Sequence, residues 1–157
     1  PPRLRSADWK PQTFTYDLQH ETIDFDAEYY FDMGKAVFVD GSCYDGTLPE
    51  IAAAGASAVQ VNDDGKLVGG LILCLPSWLP QTAAAAEHAA IKMLDDHVDG
   101  QRLRIISDCA SVIRSGTDLT WATAAERPFA GLWRQVAGQH EFEKVKAHRT
   151  LAQAEAA

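Results

Sequence analysis

The 157-residue chain is short of several things, and each shortage narrows what it can be. It has three cysteines, Cys43, Cys74 and Cys109, an odd number with no Cys-x-x-Cys pair. That pattern suits free thiols in a reducing compartment better than a disulfide framework or a zinc site. No apolar run approaches the roughly 20 residues that span a bilayer, and the Pro-rich, polar beginning does not read as a signal peptide. An intracellular protein (cytoplasm or nucleus) with no membrane partner is therefore expected. Basic residues are scarce: 14 Lys and Arg face 22 Asp and Glu, for a net charge of −8. This counts against gripping nucleic acid through a broad basic face. It does not count against meeting phosphates through a bound cation, because the ion inverts the local electrostatics. Internal repeats are absent, and the alanine run before Glu87 is the one low-complexity stretch.

What is present is an ordinary amount of apolar sequence, 46%, in a length that suits one domain. Residues 1–33 show no sustained period and read as an extended arm or linker, packing through Trp9, Phe14, Tyr29 and Tyr30. From Lys35 the pattern changes. KAVFVD reads as a strand buried on both faces, followed by a loop, DGSCYDGTLPE. GASAVQVN and KLVGGLILCLP read as two strands joined by an Asn-Asp-Asp-Gly hairpin signal. An alanine-rich helix follows, with Thr82 as its N-cap and its end before Gly100. LRIISD is a fourth strand, CASVIRSG a short helix, RPFAGLWRQVAG a further helix and HEFEKVKAH a fifth strand. The order βββαβααβ indicates an α/β fold, a mixed five-stranded sheet covered by helices.

Three carboxylates stand out. Asp40 closes an apolar run and precedes Gly41, so a turn would explain it. Asp108 ends LRIIS before a helix and could be an N-cap. Glu87 lies on the apolar stripe Ala83, Glu87, Ala90, Ile91, Leu94, Val98, the face that should meet the sheet. An unpartnered ionised carboxylate there would cost several kcal/mol or shift its pKa. The alternative is a Glu at the stripe's edge whose head reaches solvent. If the strands before Asp40 and Asp108 are parallel neighbours, as the intervening βαβ connection permits, all three acids converge at one sheet edge. Clustered oxygen ligands without Cys or His suit Mg²⁺ or Mn²⁺.

VFVDGSC, TAAAAEHAAI, IISDCASVI, GLWRQV and FEKVKAH, in that order, resemble the motifs of the type 1 ribonuclease H domain over about residues 35–150. Among such domains the chain looks most like those attached to the reverse transcriptases of retroelements. The resemblance implies a ribonuclease H-like domain over 34–157, a three-strand antiparallel meander plus parallel strands with helices on both faces. It implies an endonuclease that hydrolyses the RNA strand of RNA–DNA hybrids, leaving a 3′-hydroxyl and a 5′-phosphate. Asp40, Glu87 and Asp108 would then be metal ligands for two Mg²⁺ ions, with Mn²⁺ as a substitute. His148 would assist hydrolysis or product release on a loop after the last strand. Gly41, Ser42, Cys43 and Thr82 would bind substrate, with Glu87 also near the 2′-hydroxyl that marks RNA. Leu132 and Trp133 would belong to a helix packed beneath the sheet. The partners implied are the hybrid and an upstream reverse-transcriptase domain or partner protein.

The chain departs from the family in four respects. A fourth carboxylate on the C-terminal helix has no clear counterpart: Glu155 is near the right distance, but LAQAEAA lacks the usual Ala-Asp context, and the chain is expected to stop before that helix is complete. Ala83 and Ala84 stand where many members carry asparagines, and Ala110 where a glutamine is common. The basic handle that some members use to hold the hybrid is missing between Arg114 and Phe129. These departures imply weak hybrid binding by the chain alone. They leave open a second class of function, a catalytically impaired scaffold or nucleic-acid-positioning module.

Overall fold

The computed structural model describes residues 8–44 and 52–146. Among them one sheet of seven strands has the order β2-β1-β5-β4-β3-β6-β7. Its centre is the expected antiparallel meander, β3 (Val37–Tyr44), β4 (Ala53–Val61) and β5 (Leu67–Cys74). The β4–β5 turn uses Asn62, whose Oδ1 accepts the N–H groups of Asp64 (3.0 Å) and Lys66 (2.9 Å). On the other side, β6 (Arg104–Ser107) runs parallel to β3, and β7 (Glu141–Lys144) parallel to β6. The mixed sheet flanked by helices is the expected fold class.

Two strands were not anticipated. Residues within the N-terminal segment form β1 (Gln12–Asp17) and β2 (Thr22–Asp24), a hairpin whose β1 pairs antiparallel with β5. Only Phe14 of these nine positions is buried, so neither strand carries the alternating apolar pattern that marks a half-buried strand. Gln60, 1% exposed, fastens the following stretch to the sheet. Its Oε1 accepts from the Tyr29 hydroxyl (2.7 Å) and the Asp32 N–H (2.8 Å), and its Nε2 donates to the carbonyls of Asp32 (2.8 Å) and Lys35 (3.2 Å). A Cβ on Gly69 would come within 2.3 Å of the Tyr29 ring, so only glycine admits that ring against β5.

Helix α1 (Ala83–His97) begins as expected, with Thr82 Oγ1 accepting the Ala85 N–H at 3.1 Å. It lies over β3 and β4, and its buried Ala85, Ala86, Ala89 and Ala90 meet Ala54, Ala56 and Ala58 of β4 in one core. Small side chains on both elements let helix and sheet approach closely. Three shorter helices follow: α2 (Ala110–Thr117), α3 (Leu119–Ala122) and α4 (Ala130–Trp133). The helix expected over RPFAGLWRQVAG shrinks to the single turn of α4. Beyond it the chain bends so that the N–H groups of Ala137 and Gly138 reach the buried carboxylate of Asp95, each at 2.9 Å. His140 Nε2 completes that cluster at 2.7 Å from Asp95, while its Nδ1 accepts the Leu103 N–H at 3.1 Å. The side chains of His140 and Asp95 are 0% and 2% exposed, so this polar knot anchors the entry to β6 and β7 inside the core.

Candidate metal centre

The turn expected at Asp40-Gly41 does not form. β3 continues through Gly41, Ser42 and Cys43 to Tyr44, paired with β4 from Phe38↔Val59 to Tyr44↔Ala53. Asp40 is therefore a mid-strand residue, opposite Ser57. What ends near it is the other ladder: β3 and β6 pair in parallel only at Val37↔Ile105 and Phe38↔Ile106. Two residues further along each strand stand Asp40 and Asp108, side by side where the strands part. Asp108 is not the cap of α2 either. Cys109 is the N-cap and makes no side-chain cap bond, and its N–H goes to Ser107 Oγ at 3.0 Å. Neither carboxylate is consumed by the local role that would have explained it.

The third acid comes from α1. Gly41 allows this, because a Cβ there would lie 2.4 Å from the Glu87 nitrogen and 2.7 Å from the Ala86 carbonyl carbon. The helix backbone passes against the strand at this point, and Glu87 faces the same edge as Asp40. Asp40, Glu87 and Asp108 each offer one oxygen within 4.8 Å of the others. Asp40 is exposed, Asp108 half-buried and Glu87 only 7% exposed. Asp40 Oδ1 accepts the Gly41 N–H at 2.9 Å, whereas the buried Glu87 Oε2 has no hydrogen-bond partner. Burial first, then the charges of Asp40 and Asp108, push the Glu87 carboxyl up from 4.5 to about 8. The solvent-reaching alternative for Glu87 is thereby excluded.

Three hard oxygen donors, mutually repelling and with one buried oxygen unsatisfied, could hold a hard divalent cation. Beside them opens a cleft of about 440 Å³, lined by Asp40, Asp108, Phe38, Ile106, Val145 and Lys146. The residues expected to bind substrate sit around this edge. Gly41, Ser42 and Cys43 follow Asp40 along β3, and Cys43 Sγ donates to the Gln81 carbonyl at 3.1 Å, next to the α1 cap Thr82. His148 and Glu155 lie outside the described residues.

Sequence reasoning passed over His88, the neighbour of Glu87. Its ring is 3% exposed and stacks on Phe129 at 4.6 Å. Trp133 Nε1 donates to His88 Nδ1 at 2.9 Å, and His88 Nε2 lies 2.5 Å from Ser111 Oγ. An indole N–H can only donate, so Nδ1 is the acceptor and the proton of the neutral ring sits on Nε2, donated to Ser111. Ser111 cannot pass its own proton to such a ring, so the pair is no serine–histidine nucleophile. Burial also holds His88 down at about 4, which keeps the ring neutral. A histidine beside a carboxylate on a helix carries no sequence signal that separates this role from an exposed one.

Among the described residues no helix is long and apolar enough to cross a membrane. No protein-family model matches the chain, and no curated protein does. Solved structures do. The crystal structure of LC9-RNase H1, described as a type 1 ribonuclease H with the type 2 active-site motif, superposes with a TM-score of 0.54 at 18% identity. That match covers 77% of this chain and 66% of the LC9 chain. RNase H1 from the halophilic archaeon Halobacterium salinarum NRC-1 gives a TM-score of 0.43 at 21% identity, over 71% of this chain and 85% of that one. LC11-RNase H1, solved in complex with an RNA/DNA hybrid, gives 0.45 at 13% identity, over 76% and 91%. At 18% identity the likeness to LC9-RNase H1 is one of fold: the chain is a domain of the type 1 ribonuclease H fold.

Proposed function

We propose that the chain is a metal-dependent endonuclease that hydrolyses the RNA strand of RNA–DNA hybrids, working within a larger reverse-transcribing protein. The observation that carries this is the convergence of Asp40, Glu87 and Asp108 on that fold, with Glu87 buried and its Oε2 unsatisfied. In this reading Asp40 is the central ligand, and Glu87 and Asp108 hold the flanks. Asp40, Glu87 and Asp108 would hold the divalent metal, which would supply Lewis-acid activation of a water and of the leaving oxygen, so no side chain need act as a covalent nucleophile. The strand to be cut lies along the cleft beside Asp40 and Asp108. The backbone of Gly41, Ser42 and Cys43, with Thr82, reads the 2′-hydroxyl that distinguishes RNA from DNA. His148 assists hydrolysis or product release. Cleavage of a labelled RNA–DNA hybrid in Mg²⁺ or Mn²⁺ tests this, with duplex DNA and duplex RNA as comparison substrates. Activity that survives Asp40→Asn, or equal cutting of all three duplexes, overturns it.

A second reading, a scaffold or nucleic-acid-positioning module with impaired catalysis, is favoured by one observation. Ala83, Ala84 and Ala110 are exposed beside the acids and offer a duplex no hydrogen-bonding side chain. Calorimetric titration separates the two: a chain that binds no divalent ion, and whose fold ignores chelator, is the scaffold.

A further inference from the structure

The three carboxylates form a triangle whose sides are held in different ways. The Asp40–Asp108 side is set by the parallel ladder of β3 and β6, through backbone hydrogen bonds that no side-chain substitution removes. The Asp40–Glu87 side is set by contact of the α1 backbone with Gly41. The Glu87–Asp108 side has neither support. Glu87 rides on α1 and Asp108 stands at the entry to α2; the backbones of these helices do not run closely together, although Val112 of α2 shares the core with α1. The direct tie between them is the hydrogen bond from His88 to Ser111 Oγ, 2.5 Å. It joins the residue after Glu87 to the residue three beyond Asp108.

We propose that His88 and Ser111 form a brace that fixes the Glu87–Asp108 separation, and that this brace sets the site's preference for a small, geometrically demanding cation over a larger one. The inference rests on the three acids being a metal centre. Trp133 gives the brace its direction: by occupying Nδ1, it leaves Nε2 as the ring's one proton donor, aimed at Ser111. The stacked Phe129 ring holds the imidazole plane, so donor and acceptor stay aligned. His88 and Ser111 are positioning residues; neither belongs to the three acids. Mg²⁺ requires near-ideal octahedral geometry at short distances, whereas Ca²⁺ accepts longer bonds and irregular surroundings. A loosened Glu87–Asp108 side therefore penalises Mg²⁺ far more than Ca²⁺.

The test is calorimetric titration of the full chain with Mg²⁺ and, separately, Ca²⁺, alongside metal-free thermal unfolding. Ser111 is exposed and alanine suits a helix better than serine, so Ser111→Ala keeps α2 intact. Ser111→Thr retains the hydroxyl. Ser115→Ala, one turn along α2 at a buried position, alters packing without cutting the brace. Ser111→Ala is expected to weaken Mg²⁺ about tenfold and Ca²⁺ by less than about threefold, with Ser111→Thr and Ser115→Ala close to wild type. A general loss of structure would weaken both ions alike, so equal losses, or an unchanged Mg²⁺ affinity in Ser111→Ala, overturn the brace alone. A wild-type chain that binds neither ion overturns the metal centre and the brace together.

Discussion

Glu87 and Asp40 bring carboxylate oxygens within 4.8 Å of each other although one side chain is almost wholly buried and the other exposed. The buried partner bears the cost. Unfolded, Glu87 loses its proton near 4.5; folded, it keeps it to about 8. Between those values the folded chain carries a proton that the unfolded chain has released, so stability declines as pH rises. His88 acts in the opposite sense. Its folded ring stays neutral down to about 4 while the unfolded one protonates near 6.5, so stability declines as pH falls through that range. The two slopes oppose each other between about 4.5 and 6.5, and Glu87 acts alone above. Metal-free protein should melt at a nearly constant temperature over the lower range, then lose about 2 kcal/mol from pH 6.5 to 8. Thermal unfolding in chelator, with Glu87→Gln, checks this: the alkaline decline should vanish in the variant, and in wild type given saturating Mg²⁺.

Gly41→Ala should separate strand and helix. The added methyl has nowhere to go but against the backbone of Ala86 and Glu87, and overpacking of this kind costs about 1–3 kcal/mol. Because the displaced element carries a carboxylate, the loss of Mn²⁺ affinity should exceed what the drop in melting temperature explains. Titration of the folded variant with Mn²⁺ measures it. Unchanged affinity would show that α1 can shift without moving Glu87.

Asp95 stabilises the fold without serving the site. It accepts from Ala137, Gly138 and His140, and it is 2% exposed. Asp95→Ala leaves these buried donors unmet and should cost about 3–5 kcal/mol. Urea unfolding gives the size of the loss. Divalent-ion affinity of the remaining folded fraction should be that of wild type, since no acid of the triad contacts this cluster.

Gln60→Leu should free the N-terminal hairpin. All four bonds of the Gln60 amide go to residues 29–35. Their loss should raise amide exchange in β1 and β2 by tenfold or more, corresponding to about 1.4 kcal/mol or more of local opening, while β3, β6 and α1 keep their protection. Hydrogen exchange read by mass spectrometry distinguishes local release from global destabilisation, which would raise exchange everywhere.

Much of this could be read from the residues alone because it depends on near neighbours in sequence. KAVFVD, GASAVQVN, KLVGGLILC and LRIIS are apolar enough to be strands wherever they pair, and Thr82 caps α1 whatever lies beside it. The placement of Glu87 on an apolar stripe was equally legible, since it follows from helical spacing. The order of the motifs pointed to the fold, and superposition on LC9-RNase H1 agrees with it.

Other features have no local cause. β1 and β2 bury one side chain between them and exist because β5 offers them an edge more than fifty residues away. Asp40 looked like the start of a turn because Asp-Gly usually is one; it is held in a strand by pairing with Ser57, a partner its own neighbourhood does not name. The helix expected after Arg127 is cut short because Asp95, distant in sequence, takes two of the N–H groups that follow it. The brace at His88 arises in the same way, from three helices meeting. Short-range spacing put Glu87 on the stripe that should meet the sheet and left its burial open between the sheet and solvent. The distance of the three acids from one another is a property of long-range contacts: a strand ladder, a glycine pressed against a helix, and one hydrogen bond between helices.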